Sequence, residues 1–389
     1  MSLAAACGRA GFNPRVAVDG GTDTVDAAPD ASPPVLACGA PVRFSITPTM
    51  GALSATATLG GYDVFAIDGS LLRGYSFQFT SGGTALAAAK TDVAVSDNAA
   101  TALGAFALDD DVLVTAPYPL GDSGGTSLIP LDRELSARGT AVKRDGVFGA
   151  AGSLARSTGG SLAFLTQALG PDIGAVSAQL ISPLGTDLAA TPVPVEVVSA
   201  DQRPNSPTIT AARASFLVTW TSTSVSPNQV FARILNEALQ PTSPTTLVSV
   251  HPEFTPVAPR VAYAAAADRY LFAWYEKVNS VDQLWASLRD GNLNQVGEPI
   301  MVAAQGIFPV IAAGDADFLI VWDDGNVPRH LGAARISKDG TRTLLGIAST
   351  GGSVGGWDLV VRHGQTALVW TEVGGTGPNL YIDPLCGSN

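Results

Sequence analysis

The chain has 389 residues, 46% of them hydrophobic and only 14% charged, with 42 Gly and 26 Pro. An average globular domain carries about 25% charged residues, so this composition fits a turn-rich, all-β exported protein and not a helical cytosolic enzyme. A net charge of −12 with no Lys/Arg cluster excludes nucleic acid and anionic membrane surfaces as partners, and no apolar run reaches the ~18–20 residues of a membrane helix.

Residues 1–36 read as an acidic, Ala/Pro/Gly-rich tether without the large apolar side chains that would offset ordering entropy. Small residues precede Cys7, as at the end of a bacterial lipoprotein signal, although Ala4 stands where Leu is usual and the basic and apolar signal regions are missing. Cys7 is therefore either a lipidated first residue or a free thiol in the tether.

Residues 37–389 read as one propeller of repeated four-stranded units. Segment 42–47 is a strand without a local partner. Three units then follow with strands at 62–67 and 75–79, at 112–116 and 126–129, and at 162–165, 175–180 and 193–197. The next four carry a strand ending in Trp: Trp220, Trp274, Trp322 and Trp370, spaced 54, 48 and 48 residues. With Ile67, Ala116 and Leu165 in the Trp position, the spacing upstream is 49, 49 and 55. Seven blades result; six or eight are the alternatives. Aromatics locked to one repeat position are expected to pack between blades.

The last unit has strands near 357–361, 366–371 and 378–382 and too little chain for a fourth. Segment 42–47 is expected to supply it, splitting one blade between the two ends of the ring and covering open edges. Cys38 and Cys386 flank this junction, and a disulfide there would take the place of the missing hairpin and require an oxidising compartment.

Three histidines at non-metal spacings, His251, His330 and His363, give no zinc signature, and no cofactor motif occurs. The Gly-Asp-Ser-Gly-Gly run at 121–125 matches a serine-protease nucleophile motif, but no His precedes residue 123. Segment 337–343 resembles the hairpin-stabilising Asp box of sialidase-like propellers, with Thr341 for its Gly and Leu344 for its Trp. The informative residues follow the second strand of each unit, on the face shared with the loops between units. They are Asp68, Tyr118, Asp172, Tyr275, Glu276, Asp323, Asp324 and Glu372, with His251 from a loop between units. An acidic rim with aromatics suits sugars, cationic groups or Ca²⁺, and paired carboxylates are the machinery of glycosidases.

Across residues 38–389 the repeat pattern resembles bacterial exported, lipoprotein-type β-propeller repeat proteins. The resemblance implies a monomeric binding or scaffolding module in the periplasm or on the cell surface. Its ligand would be a glycan or protein at the loop face, and any membrane contact would run through a lipid anchor. The alternative is a carbohydrate-active hydrolase or lyase using the loop-face carboxylates.

Overall fold

The structure is a computed structural model. It describes the strands between Val42 and Leu385 with most of their turns. Residues 1–41, 386–389 and a number of loop segments, such as 95–102, 119–124, 146–153 and 223–227, lie outside the described residues. Cys7, Cys38, Cys386, Asp172 and His363 are among the residues outside.

The strands form seven antiparallel four-stranded sheets in sequential order, the arrangement of a seven-bladed β-propeller. Blade 1 is β2–β5 (Leu53–Ala57, Gly61–Asp68, Leu71–Thr80, Gly83–Ala94), following β1 (Val42–Ser45). Blade 2 is β6–β9 (Gly104–Ala107, Asp111–Tyr118, Gly125–Asp132, Val142–Asp145), and blade 3 is β10–β13 (Leu154–Arg156, Leu162–Leu169, Ile173–Ile181, Val193–Ser199). Blade 4 is β14–β17 (Pro204–Ala212, Ser215–Ser222, Gln229–Asn236, Thr246–Leu247). Blade 5 is β18–β21 (Pro256–Ala264, Arg269–Val278, Val281–Asp290, Ile300–Ala303), and blade 6 is β22–β25 (Ile307–Ala313, Asp317–Asp323, Leu331–Ser337, Arg342–Leu345). Blade 7 comprises β26–β28 (Ser353–Arg362, Gln365–Gly374, Gly377–Leu385). Its outer strand is β1, paired with β28 from Val42↔Ile382 to Ser45↔Asn379. The expected closure is thus the observed one.

Each tryptophan faces the preceding blade. Trp220 packs with blade 3, Trp274 with blade 4, Trp322 with blade 5 and Trp370 with blade 6, all at 5% exposure or less. On the neighbouring strand the indole meets a matched partner. Phe231 stacks on Trp220 and Tyr381 on Trp370, while the partner of Trp322 is Gly332. A Cβ on Gly332 would fall within the Trp322 ring, so glycine there makes the room the indole occupies.

Two of the three early units differ from expectation by one residue. Ile67 packs toward blade 2 and Leu165 toward blade 4, each on the face opposite to the tryptophans. Side chains alternate along a strand, so a one-residue shift exchanges faces. Ala66 and Thr166 hold the equivalent position, and with Ala116 they space the ring at 50, 50 and 54 residues up to Trp220.

The turns joining the third and fourth strands of blades 2 to 6 share one design. It opens on Asp132, Ser182, Asn236, Asp290 or Ser337, whose side-chain oxygen accepts backbone N–H groups from the turn. Asp290 Oδ1 receives Asn292 N and Asn294 N, both at 2.9 Å, and Ser337 Oγ receives Asp339 N and Thr341 N. The other three follow suit. Asn, Asp and Ser compete for nearby amides in this way, which is why they open turns. Three residues on, φ is positive: Leu135 60°, Gly185 78°, Leu239 63°, Leu293 69°, Gly340 86°. The three leucines hold a left-handed conformation that costs about 1–2 kcal/mol, offset by burial against the preceding blade. The turn expected in one blade from segment 337–343 therefore recurs in five. Arginines add further ties: Arg233 Nη1 donates to Val195 O (2.6 Å) and Arg289 Nη2 to Val248 O (3.0 Å), each in the blade before.

Candidate functional site

In an up-and-down blade the connections from second to third strand lie on the same face as those between blades. The end of each second strand and the start of each first strand therefore meet at this loop face. Glu276 lies two residues after Trp274 in β19, so strand alternation puts both side chains on one side. Its Oε2 accepts the Trp274 indole N–H at 3.1 Å, and its Oε1 lies 2.5 Å from His251 Nδ1 in the connection from blade 4. Glu276 is fully buried. Burial pushes its carboxyl up, opposed by the bonds from Trp274 and His251.

An ionised carboxylate only accepts, so with Glu276 ionised the proton in this contact sits on Nδ1. Among the described residues none hydrogen-bonds His251 Nε2. The imidazole is a quarter exposed, and its ring stands edge-on to Trp285 (4.3 Å between centroids) and Phe254 (6.0 Å). A carboxylate-oriented imidazole beside a half-buried indole is one corner of the face.

Blade 7 repeats the carboxylate. Glu372, two residues after Trp370, accepts its indole N–H at 3.4 Å and the backbone N–H of Gly352 in the incoming connection. In blade 6 the acid moves one residue forward. Asp323 Oδ1 receives Gly325 N at 2.8 Å, while Arg329 Nε sits 3.5 Å from Oδ2. Burial raises the Asp323 carboxyl against the pull of Gly325 and Arg329. Asp324 is half-buried. Burial pushes it upward, but donors from Asn326 and His330 outweigh that and hold it low. His330 Nδ1 lies 3.5 Å from its Oδ2.

Glu276, Asp323 and Glu372, expected in loops on an open rim, lie inside their strands and are at most 2% exposed. For the two glutamates the reason is the neighbouring Trp and the incoming loop, which use them as acceptors; Asp323 is instead covered by its own following loop, through Gly325 and Arg329. Tyr275 points to the opposite side of blade 5, edge-on to Phe308 at 5.6 Å, and burial pushes its phenol up to about 12. Asp68 and Tyr118 end β3 and β7; their side chains, like Asp172, lie outside the described residues. The structure thus brings His251 to Glu276, sets Asp323 and Asp324 beside Arg329 and His330, and leaves Glu372 in blade 7. Among the described residues no three His, Cys, Asp or Glu side chains converge as metal ligands. Sequence reasoning missed Trp285, Phe254, Arg329 and the inner-strand Arg260. Only Arg260 had a visible signal, a lone cation in the apolar run 256–267.

No protein-family model and no curated protein sequence matches the chain. Among solved structures it is similar to the polysaccharide lyase Uly1, with a TM-score of 0.59 and 10% identity over 88% of this chain and 92% of that one. It is also similar to a streptogramin B lyase, with a TM-score of 0.50 and 12% identity over 89% and 97%. At such identity the likeness concerns the propeller fold alone.

Proposed function

We propose that the protein is a non-catalytic ligand-binding or scaffolding propeller of the bacterial cell envelope, with the loop face of blades 4 to 6 as its contact surface. The burial of Glu276, Asp323 and Glu372 carries this reading. A glycosidase needs two carboxyls about 5–9.5 Å apart across an accessible bond, whereas these three are engaged with indoles, loop amides, His251 and Arg329. Exposed on the same face are parts of His251, His330, Asp324 and Arg329, together with Val327. This mixture of apolar, cationic and polar groups suits a glycan or a protein ligand. A glycan array run beside a hydrolysis screen tests the reading. Binding without product, weakened by Trp285→Ala, supports it; turnover of a bound glycan overturns it.

One observation favours a hydrolase or lyase instead: a His with Nδ1 on a buried carboxylate and Nε2 open has the arrangement of a general base. Product formation lost in His251→Gln, with binding retained, would establish that reading.

The envelope assignment includes the lipid anchor at Cys7 and the Cys38–Cys386 disulfide. The β1–β28 register supports the latter. Its pairs run Val42↔Ile382 to Ser45↔Asn379, and in the sequence Cys38 precedes Val42, and Cys386 follows Ile382, by four residues each. Non-reducing peptide mapping tests the disulfide, and intact mass of the native protein tests the anchor.

A further inference from the structure

Among the described residues, eight large apolar side chains stand exposed. Five lie in a turn of blade 3 or on the outer strands of blades 4 to 6. The other three are Val281, Val327 and Val373, and they share one place. Each stands at or beside the tip of the connection from second to third strand, in blades 5, 6 and 7. Val327 is 97% exposed, Val281 42% and Val373 37%. A single exposed valine is ordinary on a surface, but one at the same position of three consecutive blades makes a patch.

The tips are joined through the connections entering the next blade. Gly306 N, at the entry to blade 6, donates to Asp282 O in the blade 5 tip at 2.8 Å. Beside it, Gln305 packs on Gly325, where an added Cβ would lie 3.2 Å from its Nε2. Val354 N, at the entry to blade 7, donates to Arg329 O at 3.2 Å, and Arg329 N donates to Ser353 Oγ at 3.4 Å. Ser353 pairs with Val373. The three valines therefore follow one continuous arc of the loop face. Two of the tips are also fixed in shape. Val281 closes the β19–β20 hairpin opposite Val278, over Asn279 and Ser280 at φ 50° and 70°, as a tight two-residue turn requires. Around Val327, Asp324 accepts Asn326 N (3.0 Å), Asn326 Nδ2 (2.8 Å) and His330 N (3.3 Å).

The charges of the arc are layered. Lys277 is 62% and Arg329 50% exposed, whereas their counter-charges Asp282 and Asp323 are 33% and 1% exposed. Asp324 is turned to its own loop. The outermost charges are therefore positive, on a chain whose net charge is −12.

We propose that the arc of Val281, Val327 and Val373 docks an extended segment of a protein partner, one with apolar side chains bordered by Asp or Glu. The valines supply the apolar contact, and Lys277 and Arg329 supply the complementary border. Tips ordered before the partner arrives lose little entropy on binding. The proposal rests on the loop-face reading, takes its protein-ligand arm and carries it into blade 7.

Selection of displayed random linear peptides on the full chain, then fluorescence anisotropy of the enriched peptides, tests it. Enriched peptides should set Leu, Ile or Phe beside Asp or Glu and bind more weakly as salt rises. Val327→Asp should weaken them at least about tenfold, and Lys277→Glu about tenfold. Val327 stands in solvent, so Val327→Asp should keep the wild-type unfolding midpoint. No enrichment over the Val327→Asp chain, enrichment of basic peptides, or affinity indifferent to both variants overturns the proposal. So does a dimer of the chain alone that Val327→Asp dissolves, since the occupant would then be a second copy. Absence of peptide binding beside a glycan-array signal that falls in Trp285→Ala would remove the arc and leave the loop-face reading standing. Turnover of a bound glycan would remove that reading, while peptide binding lost in Val327→Asp would still support the arc.

Discussion

Asp63 is a carboxylate the fold works against. It sits in β3, 2% exposed, opposite Ser76 on β4, and one of its oxygens has no hydrogen-bond partner among the described residues. Burial lifts its pKa from 3.8 to about 6, with the Ser76 hydroxyl pulling the other way. A carboxyl raised in the folded state favours folding while it is protonated. That contribution is present below the unfolded pKa and lost as pH rises through the folded one. A shift of about two units corresponds to about 3 kcal/mol at neutral pH. Asp63→Asn removes the charge while keeping shape and polarity. It should therefore stabilise the protein by about 2–3 kcal/mol at pH 7, with the gain shrinking across pH 6 to 4 and nearly gone below. Urea unfolding midpoints at stepped pH, with unchanged m, give the comparison. A variant no more stable than wild type at pH 7, or a difference flat across pH 4–7, would refute the reasoning.

The left-handed leucines give a reversed order of preference. Leu293→Ala should cost about 2–4 kcal/mol through the cavity it leaves, and Leu293→Gly about 1 kcal/mol less because the strain is relieved; denaturant midpoints in which Ala beats Gly would contradict a φ of 69°. Gly332→Ala should lose about 1–3 kcal/mol by driving a methyl into Trp322, and Trp322→Phe in the same chain should restore part of it. His251→Ala strips the buried Glu276 of one of its two donors and should lower stability by about 1–3 kcal/mol at pH 7, measured by thermal unfolding. Removing both Cys38 and Cys386 should lower the unfolding free energy in oxidising buffer by up to about 5 kcal/mol for so long a loop, and the midpoint with it. Equal midpoints with and without reductant would count against the bridge.

The ring was legible because its signal is repeated. Four Trp-ended strands set a period, and the missing strand of the last blade pointed to 42–47. The early blades were legible only to within one residue. Their strands are apolar on both faces, as in Tyr62 to Ile67, so nothing in the sequence marks which neighbour each side chain meets. The turn design escaped notice because it conserves a role and not a residue: Asp132, Ser182 and Asn236 share only a side-chain oxygen. The loop face was legible as a list of acids and not as an arrangement. Whether Glu276 stands on a rim or under a histidine depends on where the chain returns 25 residues earlier.

The short pairing of β1 with β28 also governs how the chain behaves in time and in company. Arg43 bonds Asn379 across 336 residues, so the first strand made waits for nearly the last. Until it docks, β28 presents a bare edge whose sequence is matched to β1 of any copy nearby. Closing on itself and linking to a neighbour satisfy the same register, and concentration decides between them. Folding at high concentration should therefore yield exchanged dimers and longer chains, whereas dilute folding yields closed single rings.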